Sequence, residues 1–121
     1  MANIFKVVNF AAEPNAAGTP YVMYTAAADT TTIVLGLILT NIHTAAVTAT
    51  VTLVSDTANR AVANNAANGT SVIIKAAPIP VGGSLELMAG NKVVLEEEDV
   101  IKIDCSIADK LSGTLSIMEI T

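Results

Sequence analysis

Residues 78–88 read PIPVGGSLELM, a rigid stretch followed by a flexible hinge. Each proline fixes its own φ and turns the residue before it away from helix, so Ala77-Pro78 and Ile79-Pro80 are extended. Gly82-Gly83 then permits a sharp reversal. Beyond it, Ser84-Leu85-Glu86-Leu87-Met88 alternates polar and apolar residues as a half-buried strand does. Pro78, Pro80, Gly82 and Gly83 are therefore expected to form a corner that hands the chain from one sheet to another. The expected role is to set shape, with no ligand.

The same texture extends in both directions. Strand patterns cover Tyr21–Thr25, Ile33–Ile42, Val47–Val54, Ser71–Ala76, Ser84–Met88, Lys92–Glu96, Val100–Ile107 and Thr114–Ile120. Turn residues separate them at Ala17-Gly18, 43–46, Asn68-Gly69, Gly82-Gly83, Gly90-Asn91 and Ser112-Gly113. About eight short strands with such punctuation predict an all-β fold, a small antiparallel β-sandwich or jelly roll. In VIKIDCSI, Ile101, Ile103, Cys105 and Ile107 share one face and Lys102, Asp104 and Ser106 the other. The stretch Ile33-Val34-Leu35-Gly36-Leu37-Ile38-Leu39 is apolar on both faces, which places it centrally or beneath a partner subunit. Gly36 within it marks a bulge or a close approach. The Ala- and Asn-rich run 56–70 reads as an exposed loop with room for one helical turn. The last strand pattern reaches the final residues, which predicts an end tied into a sheet.

Composition narrows the function. A chain of 121 residues fits one domain and buries enough surface to stand without metal or disulfides. Six basic residues against eleven acidic ones give a net charge of −5, which argues against nucleic acid and against anionic membrane surfaces. The single cysteine, Cys105, excludes an intrachain disulfide and suits synthesis in a reducing cytoplasm. The opening MANIFKVVNFAAEP lacks the apolar run of a signal peptide. Residues 30–55 carry no Asp, Glu, Lys or Arg. The period-two alternation of 47–53, and the polar Thr40, Asn41, His43 and Thr44, read as strands and not as a spanning helix.

No catalytic constellation emerges. His43 would need a nucleophile within hydrogen-bond reach, and only folding could bring Cys105 to it. Cys105 reads instead as a small buried hydrophobe. There is no HExxH, phosphate loop or GxGxxG motif. The run Glu96-Glu97-Glu98-Asp99 lacks the alternating ligands and glycine turn of a calcium loop and reads as a solvated turn. It is also a candidate contact for a basic patch, with Arg60 and Lys75 as possible mates. No cofactor and no metal are expected, and the chain reads as a non-enzyme.

All of the aromatic residues, Phe5, Phe10, Tyr21 and Tyr24, lie in the first 24 positions. Aromatics are enriched where proteins meet, so these four are candidate partner contacts, Phe5 and Phe10 foremost. Residues 1–20 form either an arm onto a neighbouring subunit or an edge segment whose rings cap the chain's own core. Residues 21–121 form the sandwich. A carbohydrate-binding sandwich would stack sugars on exposed aromatics, and the chain has no Trp and only two Tyr.

The stretch IIKAAPIPVGGSLELMAGNKVVLEEEDVIKIDC resembles a segment of small virion structural proteins of tailed bacteriophages, notably contractile-tailed phages infecting cyanobacteria. The shared elements are Lys75, Pro78-Ile79-Pro80, Gly82, Ser84-Leu85-Glu86, Lys92 to Glu96, and Asp99 leading into VIKI. VLGLILTNI and LSIMEIT are similar to the family's first long strand and last strand. The chain departs from that pattern in its long 56–69 loop and in the extra acids before Asp99. The resemblance implies a decoration or cement protein on the capsid exterior, with neck, tail or baseplate as alternative locations. It further implies a homo-oligomer, a trimer at local threefold positions, in contact with the major capsid protein or other virion proteins.

Overall fold

The computed structural model describes residues 2–55, 69–88, 90 and 92–121. These form nine strands: β1 (Asn3–Glu13), β2 (Tyr21–Thr25), β3 (Thr31–Asn41), β4 (Val47–Val54), β5 (Thr70–Ile79), β6 (Ser84–Leu87), β7 (Val93–Leu95), β8 (Val100–Cys105) and β9 (Leu111–Ile120). The chain is an all-β sandwich. One sheet runs β1-β9-β3, with β6 and β7 both against the far edge of β3, and the other runs β2-β8-β4-β5. Every pairing is antiparallel. The loop expected over 56–70, and Arg60 within it, fall almost entirely outside the described residues.

The period-two pattern sorts side chains as sheet geometry requires. β3 sends Thr32, Val34, Leu37, Leu39 and Asn41 inward, β9 sends Leu111, Leu115 and Ile117, β4 sends Val47, Ala49 and Val51, and β8 sends Ile101, Ile103 and Cys105. β3 switches parity midway. Its pairing with β9 shifts between Val34 and Gly36, so Leu35 is the extra residue of a bulge. The bulge lets an 11-residue strand keep its larger side chains in the core on either side of the irregularity.

Two expectations are corrected. Residue pattern put Ile107 on the buried face, but β8 ends at Cys105 and Ile107 is exposed. The backbone turns there because Ser106 N–H donates to Thr48 O at 3.0 Å while Ser106 Oγ accepts from Thr48 N–H at 3.0 Å. β5 also runs past its expected end at Ala76 and carries Pro78 opposite Thr48. β5 is the edge of its sheet, where a strand tolerates a missing N–H. Ala76, at φ 49°, forms part of a bulge there and donates its N–H to Thr50 Oγ1.

Residues 80–83 join β5 of the four-stranded sheet to β6 of the five-stranded one. Gly83 N–H donates to Pro80 O at 2.9 Å and closes the turn. Gly82 takes φ +72°, the positive value a type II turn needs at its third position. Gly83 is needed for a different reason, since a Cβ there would lie 2.9 Å from Pro80 Cγ. The prolines stiffen the approach and the glycines make the reversal fit. Changing Pro78 and Pro80 together to alanine is expected to lower stability by about 1–2 kcal/mol, mostly by loosening the unfolded chain. Unchanged thermal unfolding of that double variant would contradict this account.

Candidate functional site

The aromatic residues at the start of the chain separate on folding. β1 lies antiparallel to β9 of the same chain from Asn3↔Ile120 to Phe10↔Gly113, so residues 3–13 form an edge strand of the chain's own sheet. Phe5 and Phe10 differ by an odd number of positions and therefore face opposite ways. Phe5 is 71% exposed on the outer face, whereas Phe10 is 8% exposed in the core. Phe10 meets Tyr21 edge to face, with ring centroids 5.1 Å apart. The outward role read for Phe10 is thus corrected: the parity of the strand commits its ring to the chain's own interior. Tyr21 packs half-buried against the same core.

Tyr24 anchors a polar cluster at one end of the sandwich. Its hydroxyl donates to Glu119 Oε2 at 2.6 Å and lies 2.9 Å from Thr32 Oγ1. Lys6 Nζ completes the cluster 2.7 Å from Glu119 Oε1. β1, β2, β3 and β9 each contribute one member, so the cluster ties both sheets to the first strand. Burial, reinforced by the Glu119 carboxylate, pushes the Tyr24 hydroxyl up to about 12 from 10.0. The Lys6 ammonium, then the Tyr24 hydroxyl, hold Glu119 below its ordinary 4.5.

These shifts define a pH dependence. A lowered carboxyl pKa means the unfolded chain binds the extra proton, so the contribution of Glu119 is full above about pH 4.5 and is lost as pH falls through the folded value. A raised tyrosine pKa works in the opposite direction. The contribution of Tyr24 is full below about pH 10 and is lost as pH rises toward 12. Glu119→Gln is expected to flatten the acid limb of a stability–pH profile, and Tyr24→Phe the alkaline limb. Urea unfolding across pH reads both, and an unaltered limb in either variant would exclude that group as its source.

The corner has its own polar hub, Asn41, at the end of β3. Its side chain is buried, and Nδ2 donates toward Ile79 O at 3.0 Å, Ala45 O at 3.0 Å and Pro80 O at 3.2 Å. Oδ1 accepts from His43 N–H at 2.7 Å, and Asn41 N–H donates to Gly83 O at 3.0 Å. One amide therefore fixes the Pro80 corner to the β3–β4 connection. The sequence carries a signal for it. Asn41 has the parity of Leu37 and Leu39, and a polar residue on a buried face needs partners.

The acidic run is more deeply built in than a solvated turn. Glu98 is exposed, but Asp99 is buried at 4% exposure. Asp99 Oδ2 accepts from Glu96 N–H at 2.9 Å and Glu97 Oε2 from Asp29 N–H at 3.0 Å. The backbone of 98–99 pairs with Ala26 in both directions, at 2.8 and 2.9 Å. The run therefore anchors the β2–β3 connection. Among the described residues no group of three or more His, Cys, Asp or Glu is placed to hold a metal ion. Cys105 is buried opposite Ala49, and His43 lies in the bend after β3.

The two sheets differ on their outer faces. The four-stranded sheet shows Thr48, Thr50, Thr52, Lys102 and Asp104 on its two central strands, with Val22 and Val72 exposed on the flanking ones, a mainly polar surface. On the five-stranded sheet the cross-strand row Phe5–Met118–Ile33–Val94 is wholly apolar. Val7 and Ile38 extend that surface, and Val7 and Val94 are more than half exposed. Beside them a depression of ≈200 Å³ opens over Gly36, lined also by Ile38, Glu86, Thr114 and Ser116. No helix among the described residues is long and apolar enough to cross a membrane. No protein-family model, curated protein or solved structure matches the chain.

Proposed function

We propose that the chain is a non-enzymatic structural subunit of a tailed-phage particle, a decoration or cement protein of the capsid exterior that acts through contacts with its own copies and with the major capsid protein. The observation that carries this reading is the ordered resemblance running from Lys75 through PIPVGGSLE to VIKI, together with where it falls in the fold. Those residues make up most of β5, then β6 to β8 and the corner that crosses between the sheets, so the similar segment supplies strands to both sheets. A small sandwich with an exposed apolar row across one sheet also suits a repeated building unit. The threefold arrangement implied by the resemblance is part of the proposal. Imaging purified particles at side-chain resolution tests it. Density for this sandwich on the outer shell is the expected result, and density confined to the neck, tail or baseplate, or none, overturns the capsid assignment.

A further inference from the structure

The outward residues of β1, β9, β3, β6 and β7 are Asn3, Phe5, Val7 and Asn9; Ser112, Thr114, Ser116, Met118 and Ile120; Thr31, Ile33, Ile38 and Thr40; and Ser84, Glu86 and Val94. Glu86, at the β6 edge, is the one charged side chain among them. In a chain of net charge −5, a face with a single charged side chain lets two identical molecules meet with little repulsion. Its extent is also sufficient. Four strands at ~4.8 Å spacing, with strands of 11 residues at ~3.3 Å each, give a face on the order of 700 Å². A standard interface takes about 800 Å² from each partner.

The face carries a protrusion and a depression. Phe5 is the most exposed of its large apolar side chains, at 71%. The depression over Gly36 exists because the β3 bulge places a residue without a side chain between Ser116 of β9 and the β6 edge. Phe5 stands two strands and two residues away from Gly36 in the register, roughly 12 Å across the same face. A two-fold axis between them superposes each feature on its complement, which is the condition for an isologous contact. A buried aromatic in a pocket is the usual anchor of such contacts.

We propose that the outer face of the five-stranded sheet pairs with the same face of a second copy of this chain, Phe5 of each seated in the Gly36 depression of the other. The inference sharpens the repeated-subunit reading above by naming one contact between copies. A threefold assembly uses a different surface of the molecule.

Sedimentation equilibrium of the full chain tests it first. The expected result is a monomer–dimer equilibrium that Phe5→Ser weakens roughly thirtyfold. Gly36→Val should weaken it similarly by filling the depression. The nearest atom to a Cβ at Gly36 is Leu87 O at 4.0 Å, so the fold accommodates it, and circular dichroism checks that each variant is folded. Disulfide trapping then places the contact. Mixing Phe5→Cys with Ser116→Cys is expected to give the mixed cross-linked dimer, with Cys105 buried away from the reaction. A chain that is monomeric at every concentration overturns the proposal, as does a dimer indifferent to both substitutions. Self-cross-linking of Phe5→Cys without the mixed product also overturns it, because that result describes pairing along the β1 edge. These measurements use the isolated chain, so their failure leaves the particle role standing, and failure of the particle role leaves a positive result here standing.

Discussion

Asn41→Asp is expected to destabilise the fold by about 3–5 kcal/mol at neutral pH, the range for leaving an uncompensated charge buried. In the native chain Nδ2 points at the carbonyl oxygens of Ala45, Ile79 and Pro80. A carboxylate in its place sets negative charge against three acceptors and removes the donor that all three share. Protonation restores one O–H donor, so the folded pKa of the introduced carboxyl lies above its unfolded value. By linkage the deficit is then largest at neutral pH and shrinks as pH falls through that folded value. Asn41→Ala strands the same carbonyls without adding charge and is expected to cost about 2 kcal/mol, with no such pH dependence. Urea titrations at pH 7 and pH 4.5 separate the two. Equal stability of the two variants at both pH values would show that water enters and replaces the amide.

The second large effect concerns Gly113 and Phe10, which face each other across β1 and β9. A Cβ at Gly113 would lie 2.4 Å from Phe10 Cε2 and 2.6 Å from Cζ. The ring is held against Tyr21 and has little room to yield. Gly113→Ala is therefore expected to cost about 2–3 kcal/mol as an overpacked core, and Phe10→Ala about 3 kcal/mol through the opposite defect, a cavity. The two errors should offset when combined. Gly113→Ala with Phe10→Leu is expected to be more stable than Gly113→Ala alone, a coupling that thermal unfolding of the double-mutant cycle measures. Additive costs would mean that the ring moves aside freely.

How much of this was legible in the sequence depended on whether a local pattern or a distant partner set the outcome. β8 was readable because Ile101, Ile103 and Cys105 bury on one face through simple alternation. The corner is readable because proline fixes φ and glycine permits the positive φ of a tight turn. β1 admits two readings, since an edge strand is defined by its neighbour, and β9 lies at the far end of the sequence. The odd spacing of Phe5 and Phe10 lets a strand bury only one of them, so reading the two rings together, as contacts or as core caps, overlooks their parity. β5 continued past Ala76 because an edge strand accepts Pro78, a tertiary fact that propensity does not encode. Asp99 looked like part of a solvated run, and its burial follows from the β2–β3 connection folding over it at Ala26.

The pairing of β1 with β9 also bears on the order in which the molecule forms. β9 stands between β1 and β3 in the five-stranded sheet, so until residues 111–120 have been made β1 has no neighbour and β3 has only β6 and β7 on its other edge. A nascent chain that stops short of them exposes the apolar flanks of β3 and leaves β1 with nothing to bind. Closure of this sheet therefore spans nearly the whole sequence in one step, the kind of high contact order that places folding in the millisecond-to-second range. During that interval the unpaired edge of β1, with its Ile4-Phe5 and Val7-Val8 pairs, is a template for any other extended chain nearby. Yield on refolding should then fall steeply with protein concentration, even where the finished molecule is stable.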